Sequence, residues 1–247
     1  MSNFSDLLIE AGEEISIPCH SYRQKGIDVR ETKVDKVLSR QCGKKEGLYL
    51  TLTPNSHTTP TTLGDVLQNS IKKLIRECGV TEGKILVVGL GNENVVVDAL
   101  GNEVVKRIRT GGKAFSLSAI APKVADITGI KSFDIVKAIV DHHNPSLVIA
   151  IDTLATSLLH RLGNCYQLTT AGICPGGGVD NPQPCLNRST LSVPVVAIGV
   201  PLIISVGSIM GNNSGEYARY MLTPRDVDTL VRNSADVIAS AINDVSL

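Results

Sequence analysis

The sequence predicts an α/β fold, with a mostly parallel central sheet, helices on both faces and a small β element near the N-terminus. Three observations predict it. Short apolar runs of strand length recur at residues 85–88, 114–120, 147–151 and 195–200. Stretches with helical apolar spacing lie between several of them, at 98–108 and 132–142, so crossovers join strands that run parallel. The runs are nearly continuous rather than alternating, which means that both faces of the sheet are covered.

Residues 27–34 (IDVRETKV) and 47–53 (GLYLTLT) alternate apolar and polar positions, the period of half-exposed strands, and make up the N-terminal β element. Residues 54–60 form a loop of Thr, Pro and Asn. Residues 64–78 place Val66, Leu67, Ile71, Leu74 and Ile75 on one face of an amphipathic helix. Residues 175–184 (PGGGVDNPQP) are the most evident loop. The last helix is expected to open with Thr223 as N-cap and Pro224 at its first position and to run to about Asn243. Asp226 and Asp228 then suit the positive end of its dipole.

Composition narrows the function. With no Trp and three Phe among 247 residues, aliphatic side chains must fill the core. A net charge of zero lacks the basic surface that direct nucleic-acid binding needs. The start, MSNFSDLLIEAGEE, is acidic and is not built like a signal peptide, and no apolar run has the length of a membrane span. The expected location is cytoplasmic, with no membrane partner. Cys19, Cys42, Cys78, Cys165, Cys174 and Cys185 show no C-x-x-C spacing and are expected as free thiols in that reducing compartment.

Two segments bear on chemistry. In ILVVGLGNENVVVDALG (85–101), Gly89 and Gly91 follow a strand, as in a dinucleotide fingerprint. The sixth position is Asn94 rather than Gly, and the next strand carries no ribose-binding acid, so the glycines are read as a tight turn. Asn92 and Asn94 either bond a substrate or close that turn. Asp98 then stands where helical spacing resumes, as a helix cap or a catalytic carboxylate. In LVIAIDTLATS (147–157), Asp152 follows a buried strand. It either caps a helix or faces the cleft at the carboxyl ends of the strands, where open α/β sheets bind ligands.

The stretches VVGLGNENVVVDALG, SAIAPKVADITGI, PSLVIAIDTLAT, GICPGGGVDN and VPVVAIGVP resemble the germination proteases of spore-forming bacteria, atypical aspartic endopeptidases. The likeness runs from near residue 6 to near 243 with order preserved. It implies a single peptidase domain over 1–247 with a phosphorylase/hydrolase-like core, akin to hydrogenase-maturation endopeptidases. It also implies cleavage of small acid-soluble spore proteins during germination in the spore core, a homotetramer, and Asp98 and Asp152 as the essential acids. Family members are zymogens that cut themselves; SDLLIE resembles that junction, placing the cut between Asp6 and Leu7 and making 1–6 a short pro-segment. Thr170, Cys174 and Ser205 depart from residues common in the family, and the segment from Gly207 to Thr223 is shorter.

A carboxylate pair sharing one proton can supply both the base and the acid of peptide hydrolysis. Gly91, Asn92, Asn94, Gly176 and Gly177 are the candidate substrate contacts; the triple glycine 176–178 either offers N–H groups to an oxyanion or forms a surface turn. No cofactor and no metal is expected, since His20, His57, His142, His143 and His160 form no ligand motif. Two alternatives stay open: a metal-dependent maturation peptidase, and an inactive relative that binds without cutting.

Overall fold

The computed structural model describes residues 5–14, 17–175, 184–211 and 216–245. In chain order its elements are α1 (Leu8–Glu14), β1 (His20–Gln24), β2 (Ile27–Val34), α2 (Lys36–Cys42), β3 (Gly47–Thr53), α3 (Pro60–Glu77), β4 (Gly83–Gly89), α4 (Leu100–Val105) and β5 (Phe115–Ile120). There follow α5 (Ala125–Thr128), α6 (Ser132–His143), β6 (Leu147–Thr156), β7 (Tyr166–Thr169), α7 (Arg188–Leu191), β8 (Val195–Ser205), α8 (Val206–Ile209), β9 (Met221–Leu222) and α9 (Val227–Asn243).

These strands form one sheet in the order β1-β2-β3-β7-β8-β6-β4-β5, with β9 on the end of β8. Its centre, β8-β6-β4-β5, is parallel, as the apolar runs require. The N-terminal β element is part of the same sheet: β7, only four residues long, pairs antiparallel with both β3 and β8 and joins the two halves.

The apolar runs divide by parity between two cores. Ile85 and Val87 of β4 and Leu147, Ile149 and Ile151 of β6 face α3 and α9. There they meet Leu67, Ile71 and Leu74 from one helix and Val231, Ala235 and Ile238 from the other. Leu86, Val88, Val148 and Ala150 face the other way, onto Val136 and Val140 of α6 and Leu191 of α7. Each large aliphatic side chain among them contributes about 1.5–3 kcal/mol by leaving water, which is how a chain without Trp holds two helical layers on one sheet.

Local signals set most helix ends. Thr59 caps α3, accepting from the N–H of Thr62 at 3.2 Å, with Pro60 at the first position. Asn144 ends α6 in the left-handed region, after His142 and His143 in its last turn. The expected start of the last helix is corrected. Residues 224–226 make a separate turn, because Asp226 (φ −100°, ψ 29°) is not helical, and α9 begins at Val227.

Candidate active site

β6 outruns its neighbour. β4 pairs with it only as far as Gly89 opposite Ile151, whereas β6 continues to Thr156. Asp152 is thus inside a strand rather than capping a helix, at the point where one edge of β6 loses its strand partner. The loop after β4 crosses that edge: Leu90 N–H donates to Ile151 C=O at 2.8 Å, and the Thr153 hydroxyl donates to Val97 C=O at 2.7 Å. These bonds carry Asp98 to the same place. Asp98 closes a short 3-10 turn (Val96–Asp98), and the helix predicted from it begins only at Leu100, whose N-cap residue Ala99 offers no side-chain bond. Asp98 and Asp152 both line one cleft of about 440 Å³.

Gly91 explains how Asp98 is held. At φ +97° it sits in the left-handed region, and a Cβ there would strike the Asp98 backbone carbonyl and come within 2.9 Å of its Oδ1. The next N–H, of Asn92, donates to Asp98 Oδ2 at 2.7 Å, and the buried Asn102 amide donates to Gly91 C=O at 3.2 Å. The glycine turn therefore grips the carboxylate instead of a phosphate. Asn92 and Gly91 line the cleft; Asn94 is exposed, does not line it, and donates its N–H to Asn92 Oδ1 in the turn. Gly176 and Gly177 lie outside the described residues.

The environments of the two acids differ. Burial pushes Asp152 well above the usual carboxylate range, and the charges of Asp98 and then Asp6 push it further. Burial also raises Asp98, but the Asn92 N–H opposes it by stabilising the anion. Both carboxyls thus bind a proton more tightly than a free aspartate does, and the Asp98 charge acts on Asp152.

A third acid was legible only as part of a cut site. Asp6 also lines the cleft. Asp6 N–H donates to Ala155 C=O at 3.0 Å, and its Oδ2 accepts from Ala155 N–H at 2.7 Å, so the segment docks on the edge of β6 that β4 leaves open. Lys44 Nζ donates to Ser5 C=O at 2.6 Å. Gln167 on β7 spans the next peptide unit: Nε2 donates to Asp6 C=O at 3.2 Å, and Oε1 accepts from Leu8 N–H at 2.8 Å. Leu7 is fully buried against Leu154 and Cys165. Further along, the Glu10 carboxylate accepts from the Thr156 hydroxyl and, at 2.7 Å, from Ser157 N–H.

The three departures separate. Thr170 is absent from the cleft lining and accepts from Leu48 N–H at 2.9 Å; Ser205 caps α8. Cys174 lines the cleft, and it is not a free thiol: it is bonded to Cys185. No spacing signal marks this pair. It arises because Ile173 and Leu186 exchange two backbone hydrogen bonds, at 3.0 and 2.7 Å, which sets the adjoining cysteines face to face with Cα atoms 3.9 Å apart. Cys19, Cys42, Cys78 and Cys165 are free, as expected. Among the described residues no three His, Cys, Asp or Glu side chains converge as metal donors, and no helix is long and apolar enough to cross a membrane.

Residues 10–217 match the sequence profile of the germination protease family. The germination protease of Bacillus cereus (strain AH187) is 37% identical, with 75% of this chain and 56% of that protein covered. Those of Bacillus anthracis (strain A0248) and Bacillus mycoides (strain KBAB4) are 37% and 36% identical, covering 75% of this chain and 55% and 56% of their own lengths. The chain thus spans about half the length of the curated relatives it matches. Among solved structures, a [NiFe] hydrogenase maturation protease HycI from Thermococcus kodakarensis KOD1 overlaps 64% of this chain and 92% of its own. That overlap has 16% identity and a TM-score of 0.36, too loose to bear on fold or function. With the profile covering most of the chain and identity above one third to several relatives, the chain belongs to the germination protease family.

Proposed function

We propose that the chain is an aspartic-type endopeptidase that hydrolyses small acid-soluble spore proteins during germination, and that its first substrate is its own Asp6–Leu7 bond. The observation that supports this best is the meeting of Asp98 and Asp152 in one cleft, in surroundings that raise both above the usual carboxylate range, with the backbone of Asp6 bonded beside them. Asp98 takes a proton from water as the water oxygen bonds to the carbonyl carbon. Asp152 gives its proton to the departing amide nitrogen as the C–N bond breaks. Asp98 then carries the proton and Asp152 the charge, and proton exchange resets the pair.

The same reading accounts for the fate of Ser5 and Asp6. While attached, Asp6 forms part of the cleft wall. A cut between Asp6 and Leu7 leaves Ser5 and Asp6 held by their own hydrogen bonds to Lys44, Ala155 and Gln167 rather than by the chain, so they can depart.

Incubation of the purified 247-residue chain, followed by intact-mass measurement, is expected to show a product beginning at Leu7. A small acid-soluble spore protein added afterwards should be cut at a few discrete sites. Neither event should occur in Asp98→Asn or Asp152→Asn. A spore protein left intact by a chain that has already been trimmed would remove the substrate assignment. Cutting by both Asp variants would remove the mechanism.

A further inference from the structure

We infer that Gln167 is the main-chain clamp of the cleft, the residue that holds the backbone of residues 6–8 beside the acid pair. The inference rests on the proposed site but concerns a residue with no charge and no part in the proton transfers. Gln167 is buried, at 6% exposure, on the four-residue strand β7. The hydrogen bonds found for both ends of its amide go to residues 5–8: Nε2 to Asp6 C=O and Oε1 to Leu8 N–H. A primary amide carries one donor face and one acceptor face, so it pairs with the C=O of one residue and the N–H two residues on, as a neighbouring strand would. This contact reads only the backbone: Leu7 N–H donates to Ser5 Oγ at 3.1 Å and Leu8 N–H is the first of α1, so the amide grips the chain where it turns into that helix.

Sheet register places the clamp against the chemistry. Gln167 is opposite Gly199 of β8, and Gly199 is opposite Asp152 of β6, so the three share one face of the sheet. Two strand spacings, about 10 Å in all, separate Gln167 from Asp152. Between them Gly199 has no side chain, and Leu154 folds over it; a Cβ at Gly199 would come within 2.5 Å of Leu154 Cγ. Leu7 packs on that floor. The carbonyl that Gln167 holds belongs to the residue before the proposed cut. When Asp6 leaves, the donor end of a buried amide loses its partner, which favours an incoming carbonyl that restores it.

Gln167→Met keeps the length of the side chain and removes both bonds. Two measurements on the full chain test the role. The first is the first-order rate at which the Leu7 terminus appears, expected to fall about 10²-fold, as when one oriented donor to a reacting carbonyl is lost. The second is amide hydrogen exchange at Leu8 in an Asp152→Asn background, where the segment stays uncut. Protection at Leu8 should be lost in the Gln167→Met, Asp152→Asn double variant, while amides of the β4 and β6 core keep theirs, a local change that general loss of structure would not give. A cleavage rate within about twofold of the parent, against the loss expected for such a donor, or unchanged protection at Leu8, overturns the inference. If the parent chain never cuts itself but Leu8 protection still depends on Gln167, the clamp stands and the hydrolytic reading falls.

Discussion

Asp152→Asn is expected to lower peptide hydrolysis by about 10²–10⁴-fold, the usual worth of a positioned acid or base, and at the same time to raise thermal stability at neutral pH. The two effects share one cause. Burial, with Asp98 and Asp6 nearby, holds the Asp152 carboxyl well above its ordinary value of 3.8. Folding therefore favours its protonated form. That contribution is whole below the unfolded-state value and is lost as pH rises through the raised folded-state value, so ionisation works against the fold at neutral pH. Asparagine keeps the shape without the charge. Its melting temperature should exceed that of the parent at about pH 7, by about 2–4 °C for each kcal/mol recovered, and the difference should shrink as pH falls toward the ordinary carboxylate range. Calorimetry at several pH values checks this; a variant less stable than the parent at neutral pH would mean that the buried charge is better compensated than the surrounding groups indicate.

Gly91→Ala should be nearly as damaging, although Gly91 supplies no functional group. Its φ of +97° and the contact that a Cβ would make with the Asp98 carbonyl force the turn to shift. The Asn92 N–H that holds Asp98 Oδ2 at 2.7 Å belongs to the same turn. We expect a cost of about 1–3 kcal/mol in denaturant unfolding from the strained backbone, and about 10²-fold in turnover from a displaced carboxylate. Substrate affinity should change less than turnover, because the clamp at Gln167 and the Leu7 pocket are on other strands. A variant with unaltered turnover would show that Asp98 does not depend on the glycine turn. Gly91→Ser and Gly91→Asn are no remedy, since either adds the same Cβ.

How much of this was legible in the sequence depended on how many residues carried each signal. Ile27–Val34 and Gly47–Thr53 are readable to the residue, since alternation sustained over a whole strand is a strong pattern. The strand Tyr166–Thr169 is not, because four residues show no period, and without it the N-terminal β element looks separate from the main sheet. Asp152 was found but misplaced: a charge after a run of apolar residues reads as the end of a strand. In the structure β6 goes on because β8 continues beside it, through a register shift at Leu154 and Ala155. The same extension creates the free edge on which Asp6 docks, so the occupant of the cleft was hidden along with it. Gln167 carried no signal at all, being one uncharged amide whose importance depends on residues 159 and 161 positions away.

Asp98 and Asp152 are proposed to act as one unit around a single proton. Carboxyl-carbon NMR of aspartate-labelled protein, titrated in the parent and in Asp98→Asn, tests it most directly. The expected result is an Asp152 resonance that titrates well above the ordinary carboxylate range and moves downward when the Asp98 charge is removed. An Asp152 midpoint near 3.8, or one that ignores the change at residue 98, would contradict it.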